Sequence, residues 1–252
     1  MLSVITSSTI LRLSPTPFGT KNFAAFVFDL DGTLVDSRPA IEKAAQTALS
    51  EVLPDRVGIC VTATIGPPIR QMLKAALGES DEATLDRLVA VFRREYDSGM
   101  WRETMIYPRV VELLEQIVAQ GGDSFILTNK PMVPTIKILR RLKIDRQIRE
   151  AVTPDSPKFP FTSKADGLSA LIKRHNLART ATLVVGDLRD DANAAKGCGV
   201  AFAAATYGYG RWDQNSDGKN YLLINSPGDL IPVVKRKSIV EAGRNSINRD
   251  GG

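Results

Sequence analysis

Four short apolar runs, each closed by small or polar residues, set the rhythm of the chain. Residues 23–28 stop at Asp29, residues 123–127 precede Thr128-Asn129, residues 181–185 precede Gly186-Asp187, and residues 200–205 precede Thr206-Tyr207-Gly208. Such runs are the pattern of strands buried on both faces of a parallel sheet. Between them, apolar positions recur at helical spacing over 110–120, closed by Gly121-Gly122, and over 133–142, 165–174 and 192–198, the last closed by Gly199. Strand alternating with helix predicts an α/β fold, a doubly wound parallel sheet joined by right-handed crossovers. Ligands of such sheets bind beyond the carboxyl ends of the strands, so the pattern alone brings Asp29, Thr128 and Asp187 toward one another.

The stretch from 37 to 106 breaks the alternation. It holds no convincing strand but three helical stretches, near 40–53, 69–77 and 82–96. An insert placed directly after the loop of the first strand sits over the strand ends, where a lid belongs. The expected organisation is a Rossmann-like core of residues 23–36 and 107–232 with a small α-helical cap domain at 37–106. A flexible extension is expected over 1–22 and a flexible basic tail over 233–252.

Composition narrows the function without naming it. Of 252 residues, 43% are hydrophobic and 24% charged, the balance of an ordinary globular protein. The formal charge of +5 invites a nucleic-acid reading, but its location argues against one. Residues 1–22 carry Arg12 and Lys21 and no acid, and 233–252 carry five basic residues against two acidic, so the middle is near neutral. Neither a nucleic-acid face nor a membrane span is expected, since no apolar run is long enough to cross a bilayer. Residues 1–22, rich in Ser and Thr, faintly resemble a transit segment without its amphipathic pattern, and a disordered extension is the expectation. Cys60 and Cys198 are far apart, as a reducing compartment permits, and a cytoplasmic location follows. With His175 the only histidine, and expected to be solvated, a Ser-His-Asp triad or a His-rich metal site has little to draw on.

Asp29-Leu30-Asp31-Gly32-Thr33 puts two carboxylates two positions apart, directly after a buried strand and before a glycine that lets the loop turn. By itself Asp-Gly is also a common turn. Residues 26–37 taken whole resemble the first signature of the haloacid dehalogenase-like hydrolase superfamily. Thr128-Asn129-Lys130-Pro131, the lysine of Ser163-Lys164-Ala165-Asp166, and Gly186-Asp187-Leu188-Arg189-Asp190-Asp191 follow in that superfamily's order, spanning nearly all of 23–210.

The resemblance implies a Mg²⁺-dependent phosphate-monoester hydrolase. A phosphate dianion repels nucleophiles, so its charge must be neutralised and the attacking oxygen held in line. Asp29 would attack to form an aspartyl-phosphate, and Asp31 would protonate the leaving oxygen, then deprotonate the hydrolytic water. Asp29 and Asp187 are the expected side-chain ligands of Mg²⁺; Asp31 would join through its main-chain carbonyl and Asp191 from the start of the next helix. Asp190 is read as a helix-start acid instead. Thr128, Asn129 and Lys164 would hold the phosphate, with Lys158 as the alternative lysine, while Lys130 is read as a loop charge.

The helical insert matches the small helical-cap subgroup. Thr128 to Pro131 and Thr206-Tyr207-Gly208-Tyr209-Gly210 resemble its phosphoglycolate phosphatase branch. Two departures stand against that branch: Arg109 replaces a usual glycine, and Ala165 stands where relatives carry proline. Arg70, Lys74 and Arg102 are cap residues that could meet a substrate, and Arg70, near the Gly66-Pro67-Pro68 loop, is the choice among them. A small phosphorylated metabolite is the expected partner, with the protein a monomer or homodimer. The alternatives are a sugar phosphomutase of the same fold, which would return the phosphoryl group to sugar, and a catalytically silent binding protein.

Overall fold

Alternate side chains of the first strand leave to opposite sides, and both sides are buried. The computed structural model describes residues 22–235 apart from 79, 158 and 159. In chain order the elements are β1 (Ala25–Phe28), β2 (Val35–Asp36), α1 (Arg38–Val52), α2 (Ile69–Leu77), α3 (Glu82–Ser98), β3 (Met105–Ile106), α4 (Val110–Ala119), β4 (Asp123–Leu127), α5 (Met132–Arg141), β5 (Glu150–Val152), α6 (Lys164–Arg174), β6 (Thr182–Gly186), α7 (Arg189–Cys198), β7 (Ala201–Ala205) and β8 (Leu222–Ile224). Short 3₁₀ turns join several of them.

The main sheet is parallel throughout, in the order β5-β4-β1-β6-β7-β8. β1 lies at its centre, with Phe28 opposite Ile126 on one side and Val185 on the other. Phe26, Phe28, Ile126 and Val185 face α4 and α5, packing on Leu113, Leu114 and Ile138. Ala25, Val27, Phe125 and Val184 face α6 and α7, packing on Leu168, Leu171 and Ala195. This is the doubly wound α/β arrangement, and it explains why the strands read as unbroken apolar runs. Phe26 stacks on Phe28 at 6.0 Å and meets Phe23 edge-on at 6.4 Å, so the sheet centre is aromatic on one face.

The helices of the 37–106 stretch begin where their sequence allows. α1 carries Pro39 in its first turn, where a missing N–H costs nothing. α3 is capped by Asp81, which accepts from the Thr84 amide at 2.8 Å and its hydroxyl at 2.6 Å. The α1 stripe of Ala40, Ala44, Ala45 and Ala48 lets α3 come close, and the shared core takes in Leu85, Leu88 and Phe92. The chain enters and leaves this helical segment through a two-stranded antiparallel pair, Val35 opposite Ile106 and Asp36 opposite Met105. Tyr209 is tied to the entry: its phenol donates to Asp36 Oδ1 at 2.9 Å and accepts from the amides of Ser37 at 2.8 Å and Arg38 at 3.2 Å.

Several expectations differ from what is observed. β5, β8 and the β2–β3 pair are strands of two or three residues, too short for a period of two to show against the surrounding loops. His175 is not solvated, because its ring packs 4.7 Å from that of Phe125 and its Nε2 lies 2.6 Å from Glu150 Oε2. The basic tail expected from 233 starts too early. Phe23 donates to Val233 O at 2.8 Å and accepts from Lys235 N at 2.8 Å, so this strip still belongs to the fold. Residues 1–21 and 236–252, where the flexible ends were expected, lie outside the described residues. Among the described residues no helix is long and apolar enough to cross a membrane.

Phe26→Ala is expected to lower unfolding stability by about 3–5 kcal/mol, the cost of a large cavity in a fully buried site. Denaturant unfolding checks this as a lower midpoint at unchanged slope.

Candidate active site

The strand ends deliver the acids. Asp29 follows β1 with its amide bound to Val185 O at 2.8 Å, Thr128 follows β4 with its amide on Val152 O at 3.2 Å, and Asp187 follows β6. Lys164 opens α6 and Asp191 sits in the first turn of α7. All five side chains are buried. Ser163 caps α6, accepting from Asp166 N at 3.2 Å, which holds the helix start that carries Lys164.

Lys164 Nζ bonds Asp29 Oδ1 at 2.8 Å and Asp191 Oδ1 at 2.6 Å. Asp191 Oδ2 accepts from Leu188 N at 3.1 Å, and Asp187 Oδ2 from Tyr209 N at 2.7 Å. Asp29, Asp187 and Asp191 each present a carboxylate oxygen within 4.8 Å of the others. Asp187 Oδ1 is buried and has no hydrogen-bond partner among the described residues. Three converging hard oxygen donors with one buried acceptor left over fit a divalent cation. The loop after Asp31 can come this close to Asp187 because of Gly32, whose φ is +89° and whose Cβ, were there one, would lie 2.3 Å from Asp187 Oδ2.

The charges are crowded, and their protonation reflects it. Burial holds the Asp29 carboxyl well above its usual range; Lys164 works against that, and the nearby Asp191 and Asp187 work with it. Burial, reinforced by Asp191, pushes Asp187 up to about 7. For Lys164 burial alone would favour the neutral amine, but Asp191 and Asp29 outweigh it and its pKa rises.

Asp31 faces the cavity from the other side. Its Oδ2 lies 3.0 Å from Lys130 Nζ, while its buried Oδ1 has no partner among the described residues. Lys130 is buried, not a loop charge as expected, and its ammonium sits 4.9 Å from the centre of the Tyr96 ring on α3. Its position right after the β4 terminus is the same positional signal that singled out Thr128, and it would have found Lys130 too. Thr128 Oγ1 accepts from Lys130 N at 3.2 Å, leaving its own hydrogen to donate. Asn129, expected at the phosphate, donates from Nδ2 to Gly66 O at 3.0 Å and so ties the core loop to the helical insert. Gly66 has φ +131°, and a Cβ there would meet Leu188 Cδ1 at 1.9 Å, so only glycine lets the insert approach this closely.

A cavity of about 510 Å³ opens above these groups, with Asp29, Asp31, Thr128, Asn129 and Lys130 on one side and Ile65, Met72, Phe92 and Arg93 of the insert among the rest. Arg70 does not line it. Its guanidinium pairs with Glu82 and Asp86 on the exposed side, and the neighbouring Ile69 faces the cavity instead. Lys74 joins Glu82 at 3.6 Å and Arg102 stacks 4.9 Å from the Trp101 ring, so neither reaches the cavity either. Asp190 is exposed while Asp191 is buried, and Lys158 lies outside the described residues.

The family model for haloacid dehalogenase-like hydrolases matches residues 26–205, which takes in Asp29, Thr128, Lys164 and Asp191. The chain belongs to the haloacid dehalogenase-like hydrolase family. Phosphoglycolate phosphatase 1 of Pseudomonas aeruginosa is 32% identical over 239 residues, covering 92% of this chain and 87% of its own. A 5′-nucleotidase of the same organism is 31% identical over 189 residues, covering 75% of this chain and 85% of its own. The crystal structure of a predicted phosphoglycolate phosphatase from Haemophilus somnus superposes with a TM-score of 0.73 at 28% identity, covering 85% of this chain and 99% of that one. This hydrolase is thus a phosphatase, a phosphoric monoester hydrolase.

The buried acids predict an unusual pH response in metal-free buffer. Asp187 holds its proton more tightly folded than unfolded, so its contribution is complete below its ordinary value of 3.8 and is lost as pH rises through about 7. Asp29 acts in the same direction. Thermal unfolding of chelator-treated protein should show stability falling between pH 4 and 7, and Asp187→Asn should flatten that slope.

Proposed function

We propose that this hydrolase is a Mg²⁺-dependent phosphatase that cleaves a small organic phosphate monoester of the phosphoglycolate kind by way of phosphorylated Asp29. The observation that carries the reading is the convergence of Asp29, Asp187, Asp191 and Lys164 at the ends of neighbouring strands. The names of the relatives favour 2-phosphoglycolate as the first substrate to try.

Asp29, Asp187 and Asp191, with the main-chain carbonyl of Asp31, would hold Mg²⁺, which when bound supplies positive charge against the phosphate dianion. Lys164 and the Thr128 hydroxyl hold phosphate oxygens, leaving phosphorus in line with an Asp29 oxygen. Asp29 attacks; the bond from phosphorus to the ester oxygen breaks; and that oxygen takes a proton from Asp31, leaving as an alcohol. A water then attacks phosphorus and gives its proton to Asp31, the bond from phosphorus to the Asp29 oxygen breaks, and inorganic phosphate leaves Asp29 restored. Asp31 lines the cavity, and its Oδ1, buried and without a hydrogen-bond partner among the described residues, supports this role. Lys130 holds the other oxygen and so orients the carboxyl. The helical segment 37–106 acts as a lid that shuts water out of the phosphoryl-transfer step. The cytoplasm is the proposed location.

Phosphate release from 2-phosphoglycolate and other monoesters, with Mg²⁺ and after chelation, tests the reading. Metal-dependent release is expected, and undiminished release in the presence of chelator would refute the Mg²⁺ requirement. Asn in place of Asp29 keeps the size and removes the nucleophile. Asp29→Asn should lower kcat by roughly 10³-fold or more while circular dichroism stays that of the wild type; activity within tenfold of wild type would sink the nucleophile assignment.

A further inference from the structure

Tyr209, in the Thr206 to Gly210 run after β7, has no part in the chemistry above, yet it holds the start of the helical insert. The first amides of a helix find no partner inside it. At α1, Ser37 does not cap the helix with its own side chain and Pro39 has no N–H. The amides of Ser37 and Arg38 instead both donate to the Tyr209 phenol, which lies 172 positions along the chain from Ser37. Asp36 Oδ1 closes the knot by accepting from the phenol at 2.9 Å and from Arg38 N at 3.0 Å. The Arg38 guanidinium lies over the Tyr209 ring, 4.8 Å from its centre. The core thus caps the first helix of the insert through one side chain.

The main chain of the same residue holds Asp187. Tyr209 N donates to Asp187 Oδ2 at 2.7 Å, and Trp212 Nε1 donates to the Asp187 carbonyl at 2.7 Å. Between them the backbone lies directly on the acid: a Cβ at Gly208 would meet Asp187 Cβ and Gly32 O, each at 2.3 Å. The Tyr207 phenol ties this run to the nucleophile loop as well, donating to Thr33 O at 2.8 Å. A segment packed and bonded in this way has little room to absorb a displacement, so a shift of the α1 start that pulls on the phenol reaches the Asp187 carboxylate.

We propose that Tyr209 is a positioning residue that couples the entry of the helical insert to Asp187, so that docking of the α1 start on its phenol holds the carboxylate with Oδ1 free to take Mg²⁺. The proposal rests on the Mg²⁺ reading above and adds to it a residue that acts through Asp187 without touching substrate. Coupling of this kind runs both ways, so the state of the metal site also bears on how the insert is seated.

Calorimetric titration of Mg²⁺ into the full chain without substrate, in metal-free buffer, tests this on the wild type, Tyr209→Phe, Asp36→Ala and the double variant. Phe keeps the ring and the main-chain amide and removes only the phenol oxygen. Tyr209→Phe should raise the Mg²⁺ dissociation constant by about tenfold, the loss typical of a group that orients a metal ligand. Asp36→Ala should raise it by about threefold or more in the wild type and add less than about twofold in Tyr209→Phe, since both changes break the same link. A constant that Tyr209→Phe leaves within about twofold of the wild type overturns the proposal, because a purely structural phenol would lower the melting temperature alone. So does an Asp36→Ala effect that is missing in the wild type or undiminished in Tyr209→Phe, the latter being the mark of charge acting across space. Absence of Mg²⁺ binding by the wild type would overturn the Mg²⁺ reading itself, and this proposal with it.

Discussion

Lys164 stands between Asp29 and Asp191, and the rest of the site depends on that ammonium. Buried carboxylates repel one another and lose hydration, a cost of several kcal/mol per ion that only an opposite charge with good geometry offsets. Lys164 meets Asp29 and Asp191 at hydrogen-bond distance, and main-chain amides serve Asp191 Oδ2 and Asp187 Oδ2. What it leaves is Asp187 Oδ1, buried and without a hydrogen-bond partner among the described residues. The protein thus keeps a compact, under-neutralised pocket at the centre of its sheet, which is the electrostatic state suited to binding a cation and a phosphate together.

The helical insert is joined to this pocket at three points, and each joins through a residue next to the proposed chemistry. Asn129, adjacent to Thr128, bonds the Gly66 carbonyl. Lys130, which holds Asp31, rests on the Tyr96 ring of α3. Tyr209 gives its amide to Asp187 and its phenol to the chain at the entry toward α1. A shift of the insert would therefore be felt by Asp31, Thr128 and Asp187 through short, stiff links. The insert also supplies much of the cavity's apolar lining, through Ile65, Pro68, Ile69, Met72 and Phe92.

Much of this could be read along the chain because the signals were local. An apolar run stopping at an acid, a helix opening at a lysine and a Gly-Asp pair with a second acid four residues on from that Asp each announce themselves within about ten residues, and the parallel sheet brings their ends together by topology alone. Asp29, Thr128 and Asp187 were visible in this way, while Asp31, Lys164 and Asp191 were picked out by the resemblance to the family's motifs. The two-residue and three-residue strands were not, since so short a segment carries no period and forms only because a neighbouring edge is there to pair with.

The sequence by itself determined the α/β class, the order of the elements and which acids end the strands, because these depend on patterns within a single segment. Only the tertiary structure decided the fate of side chains whose partners lie far away in sequence. Lys130 became a buried partner of Asp31 because α3 laid Tyr96 beside it. Arg70 was drawn off to Glu82 and Asp86 because α3 packs against α2. His175 was taken from solvent by Glu150 on an edge strand that the pattern did not reveal. The reason is physical: a charged side chain is placed by whichever opposite charge or aromatic face the fold brings within reach, and that is a property of the assembled molecule.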